Sequence, residues 1–211
     1  MLQFKNNIME IGLDEAGRGP LLGRVYAGAV IWPENLESIY INDSKKLTSK
    51  KREKALEWIK ENILYWGVGY CEAIEIDNIN ILNATVLAMN RAILDLKQKM
   101  TSTSNSTSNS NSTSTCTNLL IDGCGWEKKF NKFNVECIVK GDTIYYSIAA
   151  ASIIAKQFHD SHIKELILCD PSLDVRYNLS SNMGYPTKKH ILGLEKYGAS
   201  IHHRKTFNRV K

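Results

Sequence analysis

Short apolar runs separated by turn-forming residues fill the amino-terminal part of the chain. Residues 8–13 and 25–31 are apolar runs on either side of a Gly- and Pro-rich bend, and residues 64–73 place Gly and aromatic side chains in a third extended stretch. Short apolar runs bounded by Gly and Pro favour strands over helices. We therefore expect three neighbouring strands here.

Two other segments have the spacing of amphipathic helices. Thr48 is a good N-cap for a helix over residues 49–62, and residues 79–99 repeat the helical spacing. The apolar face consists of Ala55, Leu56, Ile59 and Ile63 in the first helix, and of Leu82, Val86, Met89, Ile93 and Leu96 in the second. Each face is suited to cover one side of a sheet.

The carboxy-terminal half adds two strands and two helices. The strands are residues 119–122 and 135–139, and the helices lie around residues 147–168 and 187–197. Strands that first follow one another and then alternate with helices predict a mixed sheet flanked by helices. The expected fold class is α/β.

Residues 101–118 differ from the rest of the chain. This tract reads TSTSNSTSNSNSTSTCTN and contains neither a charge nor a large apolar side chain. It cannot bury enough apolar area to offset the entropy of ordering, so we interpret it as a disordered insertion. Because a long loop costs little more to close than a shorter one, a single domain over residues 1–211 remains the expectation.

Composition narrows the class of protein. The 211 residues are 43% hydrophobic and 23% charged, as in an ordinary globular domain. Residues 1–9 lack the features of a secretory signal, no apolar run is long enough to span a membrane, and the five cysteines form no C-x-x-C pair. We expect a cytoplasmic monomer without a membrane segment or a thiolate zinc site.

Positive charge is concentrated at one end. The formal net charge is +5, and residues 182–211 contain seven Lys or Arg side chains against one acidic residue, Glu195. Aromatic and histidine side chains are interspersed among them, as in segments that bind a phosphate backbone. Charge that only aids solubility would give a similar pattern, so both interpretations stay open at this point.

Four carboxylates lie at strand ends or in the turns that follow, next to Gly. Asp14 and Glu15 follow the first strand, Asp122 ends the fourth, and Asp142 follows the fifth. Each alone is ordinary turn chemistry. If these strands are neighbours, the four side chains converge, and such like charges need protons or cations to neutralise them. Oxygen ligands select hard ions, so a site for Mg²⁺ or Mn²⁺ that acts on a phosphodiester is the hypothesis.

The turn after the first strand has features of a phosphate or sugar site. Gly17, Arg18 and Gly19 expose backbone N–H groups beside a guanidinium, although a tight turn between strands has the same sequence. Adjacent strand residues point to opposite faces, so Asp14 and Glu15 can serve one site only if the strand ends or bulges there.

The sequence resembles the type 2 ribonucleases H, the ribonuclease HII family. The matching segments, in the family's order, are IGLDEAGRGPLLG (11–23), NDSKKL (42–47), IDG (121–123), KGD (140–142), AAASIIAK (149–156), GYPT (184–187) and HHRKTF (202–207). They nearly span the chain, and the DEAGRGP block is highly specific.

The resemblance implies a ribonuclease H-like fold, with a five-stranded mixed sheet of order 3-2-1-4-5 and a short C-terminal helical region. It also implies hydrolysis of the RNA strand of RNA–DNA hybrids and cleavage 5′ of ribonucleotides embedded in duplex DNA. The products would carry 5′-phosphate and 3′-hydroxyl ends, and two Mg²⁺ or Mn²⁺ ions would take part. Ribonucleotide removal and primer processing are the implied roles.

The same resemblance assigns roles to particular residues. The metal ligands would be Asp14, Glu15, Asp122 and Asp142. Gly17, Arg18, Gly19 and Tyr185 would contact the junction between ribose and deoxyribose, where the 2′-OH distinguishes RNA from DNA. Contacts to the duplex backbone would come from Asn42, Ser44, Lys45, Lys46 and Arg204. Arg204 belongs to a basic substrate-binding segment over residues 182–211.

The chain departs from the family's usual residues at two places. Asn182-Met183 stands where His-Lys is usual, and His159 stands where Arg is usual, which would weaken contacts to the backbone.

Three competing interpretations share the same fold class. Type 3 ribonucleases H have an extra N-terminal domain and usually Lys at the position of Arg18. A catalytically weak hybrid-binding protein would keep the basic segment, but it would have lost a carboxylate. Another nuclease of this fold, such as a transposase or integrase, would not require the Gly17-Arg18-Gly19 turn or Tyr185.

Overall fold

A five-stranded mixed sheet forms the centre of the molecule. The computed structural model describes Met1, residues 9–104 and residues 118–210. The strands are β1 (Glu10–Ala16), β2 (Val25–Val30), β3 (Trp66–Cys71), β4 (Asn118–Asp122) and β5 (Asn134–Ile138), in the order β3-β2-β1-β4-β5. β1 and β3 pair antiparallel with β2, whereas β4 pairs parallel with both β1 and β5. The expected sheet order is confirmed.

Helices cover both faces of the sheet. They are α1 (Ser49–Asn62), α2 (Ala73–Ser104), α3 (Tyr146–Cys169), α4 (Ser172–Tyr177), α5 (Leu179–Asn182) and α6 (Lys188–Tyr197), with 3-10 turns at Glu127–Lys129 and Gly141–Thr143. α1 has the predicted bounds, and Thr48 caps it by accepting a hydrogen bond from the Lys51 N–H. Among the described residues, no helix has the length and apolarity needed to cross a bilayer.

Glycines in the strands let the two long helices approach the sheet closely. A Cβ on Gly28 would lie 2.3 Å from the Ala151 carbonyl oxygen of α3, and one on Gly69 would lie 2.2 Å from the Ala88 carbonyl oxygen of α2. Side chains of neighbouring strand residues point to opposite faces, which places α3 on one face and α2 on the other. The buried apolar side chains form one cluster on each face and a third around α4 and α5.

Several element boundaries differ from the expectations. β1 continues to Ala16, beyond the predicted end at residue 13, because its pairing with β2 extends to Ala16↔Tyr26. α2 begins at Ala73, not at residue 79, and is broken at Asn80, where φ is 66°. The short helices α4 and α5 were not predicted, because neither has room for an apolar repeat.

The predicted insertion at 101–118 overlaps ordered elements at both ends. Residues 101–104 belong to α2, and Asn118 is the first residue of β4, paired with Glu10 and Asn134. The remaining residues, 105–117, lie outside the described part of the chain, so the prediction of disorder stays a prediction.

Candidate active site

The four predicted carboxylates lie at the same edge of the sheet. Asp14 and Glu15 lie on β1, Asp122 ends β4, and Asp142 lies in the 3-10 turn that follows β5. Because β1, β4 and β5 run parallel, their carboxyl ends share this edge. The pairing of β1 with β4 ends at Leu13↔Ile121, so β1 has no neighbour on that side from Asp14 onward.

Asp14 and Glu15 line the same cleft although the strand neither ends nor bulges between them. β1 stays in register with β2 through both residues, as Asp14↔Gly28 and Glu15↔Ala27. The condition that the strand must end or bulge for both carboxylates to share a site was therefore wrong. The cleft, of about 280 Å³, is open on the β4 side of the strand, and both carboxylates border it together with Asp122.

Burial and the repulsion of neighbouring charges make Asp14, Glu15 and Asp142 hard to ionise. Burial raises the pKa of Asp14 well above its usual value, and the charges of Glu15 and Asp122 raise it further. Burial also raises the pKa of Glu15, against the lowering effect of Arg18, and the pKa of Asp142, where Asp122 adds to the effect. The site therefore favours a bound cation.

Two cations of the protein offset part of this negative charge. An Arg18 guanidinium N–H donates to Glu15 Oε1 at 3.0 Å, and Lys45 Nζ lies 3.7 Å from Asp142 Oδ2. The Lys45 side chain is 81% exposed, so solvent screens its ion pair and the amine stays free to meet a ligand. Neither contact neutralises Asp14.

The donor set fits a hard divalent cation. All four side chains offer carboxylate oxygens, which Mg²⁺ and Mn²⁺ prefer. Within residues 9–104 and 118–210, no group of three or more His, Cys, Asp or Glu side chains is arranged closely enough to hold a metal ion. Mg²⁺ commonly keeps several waters and few protein ligands, so an open, repulsive set of oxygens suits such an ion better than a closed cage.

A loop rich in glycine forms the adjacent wall of the cleft. Gly17 has a φ of 87°, a conformation that suits glycine, and a Cβ there would lie 2.4 Å from the His159 ring. Gly19 faces Tyr185, whose ring lies 3.4 Å from where a Gly19 Cβ would be. A side chain at position 17 would therefore clash, whereas a Cβ at position 19 would make only an ordinary van der Waals contact with Tyr185. Residues 17–19 all line the cleft.

Arg204 supports this loop and does not face solvent. The residue is 0% exposed, and its guanidinium donates to the carbonyl oxygens of four residues. These are Gly17, Arg18, Pro20 and Gly23, at 2.7, 3.1, 2.8 and 2.9 Å. Burial lowers the pKa of Arg204 to about 9, so it stays charged at neutral pH. The expectation that Arg204 contacts the duplex is wrong, because its guanidinium is buried and directed inward.

Tyr185 lies at the rim of the cleft, opposite the loop. It is 37% exposed, and the edge of the His159 ring faces it with ring centroids 6.1 Å apart. Lys156 Nζ lies 5.6 Å from the centre of the Tyr185 ring. One side of the ring is thus held by the protein while part of it stays accessible to a ligand.

The segment over residues 42–46 contributes unequally to the cleft. Ser44 and Lys45 line it, whereas Asn42 and Lys46 are exposed outside its lining. The Ser44 hydroxyl is buried and hydrogen bonds the Ser152 hydroxyl at 2.8 Å, so Ser44 ties this segment to α3. Asn42 and Lys46 are accessible to a duplex that extends beyond the cleft.

Two residues of α3 that line the cleft were not assigned a role from the sequence. Ser152 hydrogen bonds Asp14 and lowers the pKa of that carboxyl, partly opposing the effect of burial. Lys156 Nζ donates to Asp160 Oδ1 at 2.8 Å. Their spacing of one helical turn within the matched segment AAASIIAK was the signal that could have identified them.

Two of the three residues that depart from the family pattern, His159 and Asn182, are buried, and Met183 is partly buried. His159 is 0% exposed and Asn182 is 6% exposed, so neither side chain is available to a duplex. The Asn182 amide donates to the Tyr177 carbonyl and accepts from the Gly184 N–H. At positions 159 and 182 the side chains therefore make no surface contact, whereas the weaker backbone contact expected at Met183 stays a prediction.

The sheet order and the acidic edge define a hydrolase of the ribonuclease H fold. The sequence pattern of the family described as ribonuclease HII matches residues 11–211. The chain belongs to the ribonuclease HII family, and it is an endoribonuclease that acts on nucleic acid, as the sequence resemblance implied.

Individual relatives agree with this assignment. Ribonuclease HII of Phocaeicola vulgatus is 43% identical over 209 residues, which cover 99% of this chain and 94% of that protein. The crystal structure of the ribonuclease H2 from Pyrococcus horikoshii has a TM-score of 0.69 and 25% identity, and the match covers 96% of this chain and 95% of that one. Bst-RNase HIII, solved in complex with Mn²⁺, shares the fold at a TM-score of 0.64 and 15% identity, covering 97% and 68%.

Proposed function

We propose that this enzyme cuts on the 5′ side of ribonucleotides embedded in duplex DNA and hydrolyses the RNA strand of RNA–DNA hybrids. The observation that carries the proposal is that Asp14, Glu15 and Asp122 line one cleft with the 17–19 loop, while Asp142 lies close enough to Asp122 for their charges to interact. It brings a cation-binding edge next to backbone groups that a ribose can approach. Removal of ribonucleotides from DNA and processing of primers would follow from this activity. We also propose that the enzyme acts as a cytoplasmic monomer.

The four carboxylates would hold two Mg²⁺ or Mn²⁺ ions. When bound, the ions would supply an activated water and would stabilise charge on the leaving 3′-oxygen. Asp14 is fixed for this role because its Oδ1 accepts the Glu15 N–H at 2.7 Å. Asp122 is fixed likewise, because its Oδ1 accepts the Gly141 N–H at 2.7 Å, which ties β4 to the turn that carries Asp142.

Substrate selection would come from the loop and the tyrosine. Backbone groups around Gly17 and Gly19 can contact a 2′-OH, the group that distinguishes RNA from DNA. The partly exposed ring of Tyr185 can pack on the next sugar, and the Lys45 amine can meet a phosphate beside Asp142. Asn42 and Lys46 would bind the backbone further along the duplex.

Cleavage of three labelled duplexes tests the proposal directly. The substrates contain a single ribonucleotide in DNA, a continuous RNA–DNA hybrid, or DNA alone, each with Mg²⁺, Mn²⁺ or EDTA. We expect cleavage of the first two only, and only with metal, giving a 3′-hydroxyl on the upstream product. Cleavage of all-DNA duplex, or activity in EDTA, would contradict the proposal.

Asp142→Asn tests the carboxylates. The variant should lose at least about tenfold in turnover with substrate binding intact, because an amide is a poorer ligand for a hard cation. Lys54→Gln is the matched control, since it also changes one charge but lies on α1, outside the lining of the cleft. Its turnover at saturating substrate should stay within about twofold of the wild type.

Tyr185 tests the selection step. Tyr185→Ala should reduce cleavage at a single embedded ribonucleotide by at least about tenfold, the low end expected for one aromatic contact to nucleic acid. Tyr185→Phe should keep most of the activity, because the ring is retained. An equal loss on the continuous hybrid would show that Tyr185 supports the fold and does not select the junction.

A further inference from the structure

Three hydrogen bonds connect the carboxy-terminal segment to Tyr185 through two buried histidines. The Ser200 N–H donates to His203 Nδ1 at 2.9 Å, and His203 Nε2 lies 3.0 Å from His190 Nε2. His190 Nδ1 in turn lies 3.1 Å from the Tyr185 carbonyl oxygen. His190 and His203 are 0% and 1% exposed, so no solvent competes for these contacts.

The geometry fixes where the ring protons lie. His203 Nδ1 accepts from a backbone N–H, so its proton must be on Nε2, from which it donates to His190 Nε2. His190 therefore carries its proton on Nδ1 and donates to the Tyr185 carbonyl. Burial lowers the pKa of both rings, that of His203 to about 3, so both are neutral. The hydrogen bonds therefore run in one direction, from Ser200 to Tyr185, and all four ring nitrogens have a partner.

The next residue, Arg204, holds the opposite wall of the cleft through the carbonyls of the 17–23 region described above. The backbone reinforces this contact, because the Arg204 N–H donates to the Leu21 carbonyl and the Gly23 N–H donates to the His202 carbonyl. The Leu21 N–H donates to the carbonyl of Gly184, the residue before Tyr185. Two consecutive residues, His203 and Arg204, thus support the two walls of one cleft.

We propose that His203 and Arg204 form a positioning pair that fixes Tyr185 relative to the 17–19 loop. Arg204 holds the loop, and His203 holds Tyr185 through His190. Neither side chain reaches the substrate, so the pair determines selectivity only through the groups that it positions. The inference rests on the proposed function insofar as the loop and Tyr185 select the junction.

The test compares the ratio of kcat/KM on a single embedded ribonucleotide to that on a continuous hybrid. His203→Leu removes the donor to His190, and His190→Leu removes the donor to Tyr185. Each should lower the ratio roughly fivefold, the effect of losing one positioning hydrogen bond. In the Tyr185→Ala background the same replacements should leave the ratio unchanged, because the group they position is gone.

Two further variants separate positioning from stability. His203→Gln keeps an amide donor at about the place of Nε2 and should restore most of the ratio. Leu173→Val lies in the apolar cluster around α4 and α5, whose Tyr177 ring packs against both histidine rings, but outside both contacts. It should lower stability and leave the ratio at the wild-type value. If His203→Leu fails to fold, His190→Leu and His203→Gln carry the comparison.

The outcomes distinguish this inference from the proposed function. If Tyr185→Ala lowers the ratio while both histidine variants keep it, the positioning pair is refuted and the proposed function stands. If Tyr185→Ala leaves the ratio unchanged, selection by Tyr185 is refuted, and the positioning pair with it. Nitrogen-15 spectra of the histidine rings give an independent check, since a proton on His190 Nε2 would also overturn the inference.

Discussion

Asp14 is the residue at which stability and function conflict most directly. Its carboxylate is 5% exposed and lies near the charges of Glu15 and Asp122, and the Glu15 N–H and Ser152 compensate only in part. A buried carboxylate among like charges favours its protonated form. In the absence of divalent metal, the folded protein therefore bears a cost at neutral pH that a bound cation would relieve.

The sign of the pH effect follows from the raised pKa of Asp14. An acid whose pKa is higher in the folded than in the unfolded state contributes stability below its unfolded value, and this is lost as the pH rises toward the folded value. Asp14→Asn should therefore raise the melting temperature at pH 7 in EDTA, by roughly 2–4 °C for each kcal/mol gained. Thermal melting of both proteins at pH 5 and pH 7 measures this, with a smaller difference at pH 5.

Asp160→Asn provides a control of opposite sign. Burial acts to raise the pKa of Asp160, but hydrogen bonds from His159 and Lys156 outweigh it and lower the pKa. This replacement should lower the melting temperature at pH 7.

Added Mg²⁺ or Mn²⁺ should raise the melting temperature of the wild type more than that of Asp14→Asn. A variant at position 14 that melts below the wild type in EDTA would contradict the argument.

Sequence identifies the reactive side chains better than it identifies their supports. Asp14, Asp122 and Asp142 could be predicted because strand order alone brings their strand ends together. The burial of Arg204 could not be predicted, because a basic residue in a basic segment gives the same sequence pattern whether its side chain contacts phosphate or carbonyl oxygens. Arg204 can be buried because a loop far away in sequence supplies four carbonyl oxygens that accept hydrogen bonds from its guanidinium.

At the scale of elements, α2 shows how a single side chain can mark a boundary inside a helix. Asn80 has φ 66° and ψ 163°, which a residue with a Cβ adopts only at a cost. Its Oδ1 accepts the Asn83 N–H at 3.1 Å, as the N-cap of the longer part of the helix would. The predicted start at residue 79 therefore reflected a real helix start, and the short preceding turn from Ala73 was missed.

Two substitutions at Asn80 should have different effects on stability. Asn80→Ala loses the cap and keeps the backbone strain, so it should lower the free energy of unfolding by about 1 kcal/mol. Asn80→Gly also loses the cap but relieves the strain, so it should be close to neutral or slightly stabilising. Urea unfolding of the three proteins measures the difference, and a glycine variant less stable than the alanine variant would refute the assignment of strain.

For the whole molecule, the positive charge of residues 182–211 divides into an inner and an outer part. Arg204 is buried, whereas Lys188 and Lys189 are exposed in the first turn of α6, shortly after Tyr185. Cations at the start of a helix are unfavourable for the helix dipole, so these lysines do not stabilise α6. Their exposure, three and four residues after Tyr185 at the rim of the cleft, is instead suited to a phosphate backbone. Net charge alone could not separate the two parts, because burial depends on the fold.

Salt dependence of binding tests the outer part. Removing one contact to a phosphate should reduce the slope of log affinity against log salt by about 0.9, so a double replacement, Lys188→Gln with Lys189→Gln, should reduce it by up to about 2. Anisotropy of a labelled duplex in EDTA measures binding without cleavage.

The control replaces Lys54 and Lys60, two exposed lysines of α1 outside the lining of the cleft, and should leave the slope nearly unchanged. Because the α6 lysines oppose the helix dipole, their replacement should not lower the melting temperature, so weaker binding cannot be attributed to unfolding. Equal slopes for the two double variants would mean that the basic segment does not contact the duplex at the start of α6.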